Sequence, residues 1–312
     1  MRYSLMFEGQ EGVTWEEWLA AAEACERLGL EGLVSSDHYF PTNGSTDRGS
    51  SDAWTVMAAL AARTERIRLG TLVSPVTFRH PAHLAKVVAT VDRISGGRVD
   101  LGMGAGWWEE EHATHGLPFP PTVERFERLE EQLEIVQGLF TQDPFAFEGT
   151  HYRLERGSFF PKPVQRPHPP IVIGGAGGRW LTRLIVRWAD EFNTVSASPS
   201  VAKERFERVR SALDEAGRGQ QTLTTSVMTW CYVGATEAQW RARVERAKQL
   251  DPELDDAWID ETCVFGTPDR AAERIRAFAD AGAQRIVLNH SLFDDLDMIE
   301  LLAAEVFPLV EN

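Results

Sequence analysis

Residues 171–195 read IVIGGAGGRWLTRLIVRWADEFNTV. The apolar run at 171–173 has the length of a buried strand, and the glycines that follow make a tight turn. Residues 179–190 then read as a helix, and 192–195 as the next strand. Strand, turn, helix and strand in so short a span are the unit of a parallel sheet covered by helices. The same unit recurs on both sides. Upstream, strands are predicted at 3–7, 32–36, 67–73 and 99–103, with helices at 14–29, 53–63 and 81–94 between them. Thr14 with Glu17 three places on is a capping box, and Gly29 suits a left-handed stop. Trp15, Trp18, Leu19, Ala22 and Cys25 fall on one helical stripe between them. Downstream, helices at 203–216, 236–250 and 267–281 separate strands at 222–233 and 285–289, the last helix opening on Thr267-Pro268. Eight strands is the barrel number. The expected fold is therefore α/β, a single (β/α)8 TIM barrel over residues 1–312.

The rhythm breaks once, after the fourth strand. Residues 107–170 form an insertion, opening into a long helix with Val123, Phe126, Leu129, Leu133, Val136 and Phe140 on one face. The stretch FAFEGTHYRLERGSFFPKPVQRPHPP after it reads as a hairpin and an extended Pro-rich segment. An insertion of this length at this place is expected to act as a lid over the barrel mouth.

Composition narrows the function. At about 150 residues per domain, 312 residues would suggest two domains, but an α/β barrel can use them all. The formal net charge of −15 is the wrong sign for nucleic acid or an anionic membrane as main partner. Cys25, Cys231 and Cys263 lie far apart without a CxxC, which argues against a zinc ribbon or a disulfide framework. Cys25 reads as helix core, and neither of the others has a neighbouring base to activate it. The first residues lack a basic flank with an apolar run, and no stretch reaches the ~18 apolar residues of a membrane span. These features predict a soluble cytoplasmic enzyme acting on a small molecule.

In such a barrel the active site forms where strands end. Ser35-Ser36-Asp37-His38-Tyr39 closes the second strand; His38 can move a proton near neutral pH, and Asp37 could fix its tautomer or touch a ligand. Gly70-Thr71-Leu72-Val73 closes the third, where Gly and Thr mark either a close approach or an ordinary turn. Gly102-Met103-Gly104-Ala105-Gly106-Trp107-Trp108 closes the fourth. Its glycines would admit a flat ligand or a phosphate, but the spacing fails the dinucleotide fingerprint. Glu109, Glu110, Glu111, His112 and His115 then read as a solvated charge run; the spacing does not make a zinc motif, and no metal is expected. Gly174, Gly175, Gly177 and Gly178 close the fifth strand at a helix start, a phosphate cradle in form. Arg179, Arg183 and Arg187 add positive charge beside it, unless they pair with surface carboxylates.

Taken together these residues resemble the bacterial luciferase-like superfamily, in particular its branch of oxidoreductases that use the deazaflavin coenzyme F420. The motifs SSDHYF, LGTLVSPVTFRHP, LGMGAGWWEEEHATHGLPFP, PKPVQRPHPPIVIGGAGG and FGTPDRAAERIRAFADAGAQRIVLN occur in the family's order and span almost the whole chain. The resemblance implies a usually dimeric barrel, with a tricyclic ring at its mouth and a phosphate on the loop after strand five. It places His38 against the ring as the catalytic proton carrier and Asp37 as a neighbouring contact. Thr71, Leu72 and Val73 become the support of the ring, with a cis Leu72–Val73 bond, and Gly104 and Gly106 lie beneath it. Gly174, Gly175, Gly177 and Gly178 become the phosphate loop. Where the glucose 6-phosphate-oxidising branch carries an acid, this chain has Trp107. That leaves Glu111 as the nearest candidate acid, and Trp107 with Trp108 as an aromatic wall.

The implied activity is hydride transfer between F420 and an organic substrate, with a separate reductase as the source of reduced cofactor. The same phosphate loop would serve FMN in an oxygen-using monooxygenase; SSDHYF favours the deazaflavin. A barrel that serves only as a non-catalytic subunit is the remaining alternative.

Overall fold

The computed structural model describes residues 1–42 and 48–311. Its frame is eight strands, β1 (Arg2–Phe7), β2 (Gly32–Ser35), β3 (Arg68–Thr71), β4 (Val99–Gly104), β5 (Ile171–Gly174), β6 (Glu191–Val195), β7 (Thr224–Val233) and β8 (Arg285–Asn289). Each pairs in parallel with the next. β8 pairs back onto β1, from Arg2↔Arg285 to Met6↔Asn289, so the sheet closes into a barrel. The helices that cover it are α1 (Trp15–Leu28), α2 (Ala53–Ala61), α3 (Pro81–Ser95), α4 (Thr122–Thr141), α5 (Arg179–Trp188), α6 (Pro199–Glu215) and α7 (Pro268–Asp280). A closing helical stretch, α8 (296–311), carries a π turn at Leu302–Val306.

Local chemistry sets these boundaries as the sequence suggests. Thr14 Oγ1 accepts from Glu17 N–H at 3.2 Å while Glu17 accepts from Thr14 N–H at 2.8 Å, the reciprocal capping box. Gly29 ends α1 at φ 80°. Trp18, Ala22 and Cys25 are buried, whereas Trp15 turns to solvent.

Helix Glu237–Leu250 forms where the sequence predicts it and packs on the end of β7; the sequence reading did not foresee the helix Asp256–Thr262 and strand Val264–Gly266 that follow it before α7. That strand pairs with the end of β7, Cys231↔Val264 to Val233↔Gly266. α8 was not expected; its signal was present in Met298, Ile299, Leu302 and Val306, all buried at helical spacing.

β3 stops at Thr71, short of the expected 73; Leu72 N–H still donates to Ser35 O at 2.8 Å, and the Leu72–Val73 peptide is cis. Ser74–Pro75 then pairs with the end of β4. The glycines around this turn answer to packing. A Cβ on Gly102 would meet the Thr71 carbonyl oxygen at 1.9 Å and Val73 Cγ1 at 2.9 Å, one on Gly104 would lie 2.6 Å from Val73 Cγ2, and one on Gly174 3.1 Å from Val73 Cγ1. Glycines of β4 and β5 thus form a socket for the Val73 side chain.

The insertion divides into an inner and an outer part. Trp107, Trp108, Glu111, His112 and Phe126 line the cavity at the barrel mouth. The hairpin of Phe145–Glu148 and Arg153–Gly157 instead docks on α4, where Glu131 accepts from the N–H groups of Thr150, His151 and Tyr152. Residues 160–165 follow α3: Lys86 donates to Phe160 O, and Asp92 accepts from Val164 and Gln165 N–H. These outer contacts lie on the flank of the barrel.

The end of the barrel opposite the mouth is closed by charge. Arg285, 3% exposed, reaches Glu31, Asp100 and Glu191, each at 3.2 Å, and donates to Ser4 Oγ at 3.0 Å. Among the described residues, no helix is long and apolar enough to cross a membrane.

Candidate active site

The mouth holds a cavity of about 670 Å³, within the size of a cofactor site. Its walls come from the C-terminal ends of the strands, as the fold dictates. Leu72, Val73, Gly104 and Ala105 make one apolar side, while Val195, Met228 and Trp230 contribute from β6 and β7. Trp107 and Trp108 stack on each other at 5.8 Å on the outer rim.

His38 lies in this wall. Its Nδ1 is 2.9 Å from Glu111 Oε2, and Glu111 Oε1 accepts from Tyr39 N–H at 2.5 Å. Glu111 is 1% exposed and His112 equally buried, so the solvated charge run expected at 109–115 is corrected for both. The reason is local: a one-turn helix, Glu109–Thr114, rolls these two side chains inward. His112 bonds Thr77 Oγ1 and Trp108 O. Burial works to depress the His38 pKa, but the hydrogen bond and charge of Glu111, with Glu8 and Asp37 behind it, outweigh burial and raise it. Because a carboxylate accepts from Nδ1–H, Nε2 is the ring nitrogen left for a bound molecule.

Asp37 does not have the role the sequence suggested. It is buried, does not line the cavity, and chelates Arg79 at 2.5 and 3.1 Å while accepting from Ser74 Oγ at 2.5 Å. Arg79 also binds Asp52 at 2.6 Å and the Tyr39 hydroxyl at 2.8 Å. Both residues lie in the turn after β2, which ends at Ser35, and their side chains reach different partners, Arg79 for Asp37 and Glu111 for His38. Glu111, not Asp37, fixes the tautomer of His38. Thr71 likewise faces away from the cavity, onto Ser74 Oγ at 3.0 Å.

At the opposite end, Gly174, Gly175, Ala176 and Gly178 line the cavity, with Gly106 on the β4 side. Gly177 lies outside the wall; at φ 67° it turns the loop, and its carbonyl accepts from Thr182 Oγ1 and Arg208 at 3.0 Å each. Gly178 caps α5 without a side chain, so the first N–H groups of the helix are not taken by a side-chain acceptor. Of the three arginines, Arg183 and Arg187 are corrected to ion pairs with Glu130 of α4. Arg179 alone lines the cavity, exposed and without an ion pair among the described residues. The donor set suits an anion at this end and a flat apolar body along the middle.

Sequence reasoning missed Glu8, Ser36 as a wall residue, and Trp230. Glu8 follows β1, where it accepts from Gln10 Nε2 at 2.8 Å and from Asn289 Nδ2 at 2.7 Å. A carboxylate directly after a barrel strand is the signal that could have found it.

The model for the luciferase-like monooxygenase family matches residues 3–285. An F420-dependent glucose-6-phosphate dehydrogenase from Amycolatopsis mediterranei is 28% identical, covering 92% of each chain. An FMNH(2)-dependent dimethylsulfone monooxygenase from Pseudomonas putida is also 28% identical, over 93% of this chain and 86% of the relative. Among solved structures, an F420-dependent secondary alcohol dehydrogenase in complex with an F420-acetone adduct superposes with a TM-score of 0.86 at 22% identity. It covers 100% of this chain and 99% of the other.

Proposed function

The chain belongs to the luciferase-like monooxygenase family, and from that premise we propose that it is an oxidoreductase transferring hydride between coenzyme F420 and a small organic substrate. The carrying observation is the arrangement in one cavity: an imidazole held by a buried carboxylate at one end, and helix N–H groups with Arg179 at the other. When bound, the deazaflavin supplies a carbon that exchanges hydride without readily activating oxygen. Leu72, Val73 and Gly104 would flank its ring, while Gly174, Gly175, Gly178 and Arg179 would hold its anionic tail. The inner part of the insertion, from Trp107 to Phe126, would cover it.

The chain's own chemistry is proton transfer. In the direction of alcohol oxidation, Nε2 of His38 takes the hydroxyl proton as the carbon gives up hydride; in reduction it returns one. Glu111 keeps Nδ1 protonated and stabilises the imidazolium. Trp107 and Trp108 keep water from the reacting atoms. A homodimer and a separate reductase acting on the cofactor complete the proposal.

The sign of the pH dependence follows from His38. Its raised pKa holds the proton to higher pH, so oxidation, which needs the free base, rises along a limb above the ordinary histidine range. Glu111→Gln retains an acceptor for Nδ1–H and removes the charge, and is expected to move that limb to lower pH. The pH profile of kcat/KM measures it; an unmoved limb would remove Glu111 from this role. Arg179→Ala is expected to weaken F420 binding by about tenfold, the value of one charge-assisted contact, and to reduce its salt dependence. An unchanged Kd at low and high salt would place the tail elsewhere.

The second reading, an FMN-dependent monooxygenase, is favoured by one observation: the dimethylsulfone monooxygenase matches at the same identity as the dehydrogenase. Titration with oxidised F420 and with FMN separates the two, since Trp107, Trp108 and Trp180 line the cavity and their fluorescence reports filling. Saturable quenching by F420, followed by anaerobic turnover with an alcohol panel, is the expected result. Tighter binding of FMN, with oxygen consumed, would replace the proposal.

A further inference from the structure

A second cavity, of about 390 Å³, meets the first at Glu8, Thr42 and Trp230. Beyond these shared residues, and Glu11 and Arg48 beside them, it draws on the excursion after β7 and the turn after β8, which do not line the first cavity. Trp230 and Trp258 form its aromatic corner, with ring centroids 5.1 Å apart and planes at 69°. Among the described residues, Glu8, Glu11, Asp251, Glu253 and Asp255 line it, against one guanidinium, that of Arg48. Arg48 is not available to a ligand as a free charge, because it pairs with Glu11 at 3.0 Å and donates to the carbonyl of residue 250. Glu8 accepts from the amides of Gln10 and Asn289 and, among the described residues, forms no ion pair at the junction of the two cavities, although its charge also helps to raise the pKa of His38.

We infer that this chamber receives the part of the substrate remote from the reacting carbon, and that this part carries a positive charge, a protonated or quaternary amine. The inference rests on the proposed function of the adjoining site. An edge-to-face indole pair beside a carboxylate that forms no ion pair among the described residues is chemistry that recognises an ammonium group. The same walls oppose a phosphate or carboxylate, whose charge would add to that of Glu8 in a half-enclosed site. A sugar phosphate is therefore the wrong substrate for this chamber, although a relative's name carries one.

Calorimetric titration of the cofactor-free full chain tests this with three probes of one aromatic body: benzyltrimethylammonium, benzyl alcohol and benzoate. The cation is expected to bind about tenfold tighter than the alcohol, with benzoate weakest. Glu8→Gln should bring cation and alcohol toward equal affinity. Trp258→Ala, on the far wall of the chamber, should weaken the cation more than the alcohol. Equal affinity for cation and alcohol, stronger binding of benzoate, no binding of the cation, or indifference of the cation to Trp258→Ala would each overturn the inference. The readout needs no cofactor. A protein that ranks the probes as expected but turns over no alcohol with F420 keeps this inference and loses the proposed function.

Discussion

His38→Ala is expected to lower kcat by roughly 10²- to 10⁴-fold, the contribution of a positioned acid–base group, while F420 affinity stays near that of the wild type. In the proposed function labour is divided along the cavity: the tail end, 174–179, would supply binding through main-chain donors and one arginine. His38 would contribute a proton route that matters only while the substrate bond is breaking, so its loss is expected to fall on kcat rather than on Kd. The variant should also lose the pH limb attributed to the imidazole, which separates a chemical role from simple loss of packing. A thermal melt guards against a trivial cause, since Glu111 keeps its hydrogen bond from Tyr39 N–H but loses its imidazole. Steady-state kinetics with saturating cofactor make the measurement. Unchanged turnover, or a loss wholly in cofactor binding, would contradict the assignment.

Arg285→Met is expected to produce the largest loss of stability, roughly 3–5 kcal/mol, with little effect on the turnover of the folded fraction. Arg285 is fully enclosed at the end of the barrel opposite the mouth, and its guanidinium is the shared partner of Glu31, Asp100 and Glu191. Arg68 offers Asp100 a second partner at 2.5 Å, and Arg2 offers Glu31 one at 2.7 Å. Glu191 has no other basic partner among the described residues, only Ser226 Oγ at 2.6 Å. Removing the guanidinium leaves that carboxylate buried and uncompensated, a far larger cost than losing an exposed ion pair. Methionine fills much of the volume, so the effect reads charge more than cavity. Urea unfolding measures it. A loss below about 1 kcal/mol, the range of surface pairs, would show that water or relaxation compensates the carboxylates.

The two ends of the barrel differed in how legible they were. The strand order followed from short apolar runs punctuated by Gly and by capping residues, and the barrel closed as expected because each run is buried on both faces, one toward the barrel interior and one toward the helices. The Gly174–Gly178 loop and His38 were readable because they sit directly after strands, where the fold places ligand contacts. Glu111 was seen only as one of a charge run. Its burial depends on a single helical turn folding back onto His38 from a residue far away in sequence, and no local pattern encodes that pairing. Asp37 was misread for the complementary reason. An acid beside a histidine suggests partnership, yet adjacent side chains diverge, and Asp37 finds Arg79 instead. Arg183 and Arg187 looked like part of a phosphate site until α4 supplied Glu130. The glycines of β4 were read as room for a ligand; Gly102 and Gly104 also make room for Val73, a packing demand visible only once two strands and a turn are assembled.

The direct test of the central claim is a crystal structure of the protein with oxidised F420. The tail phosphate is expected on the N–H groups of the 174–179 loop and on Arg179, with the ring beside Nε2 of His38. A tail seated away from that loop, or an imidazole turned from the ring with Glu111 no longer its partner, would contradict it.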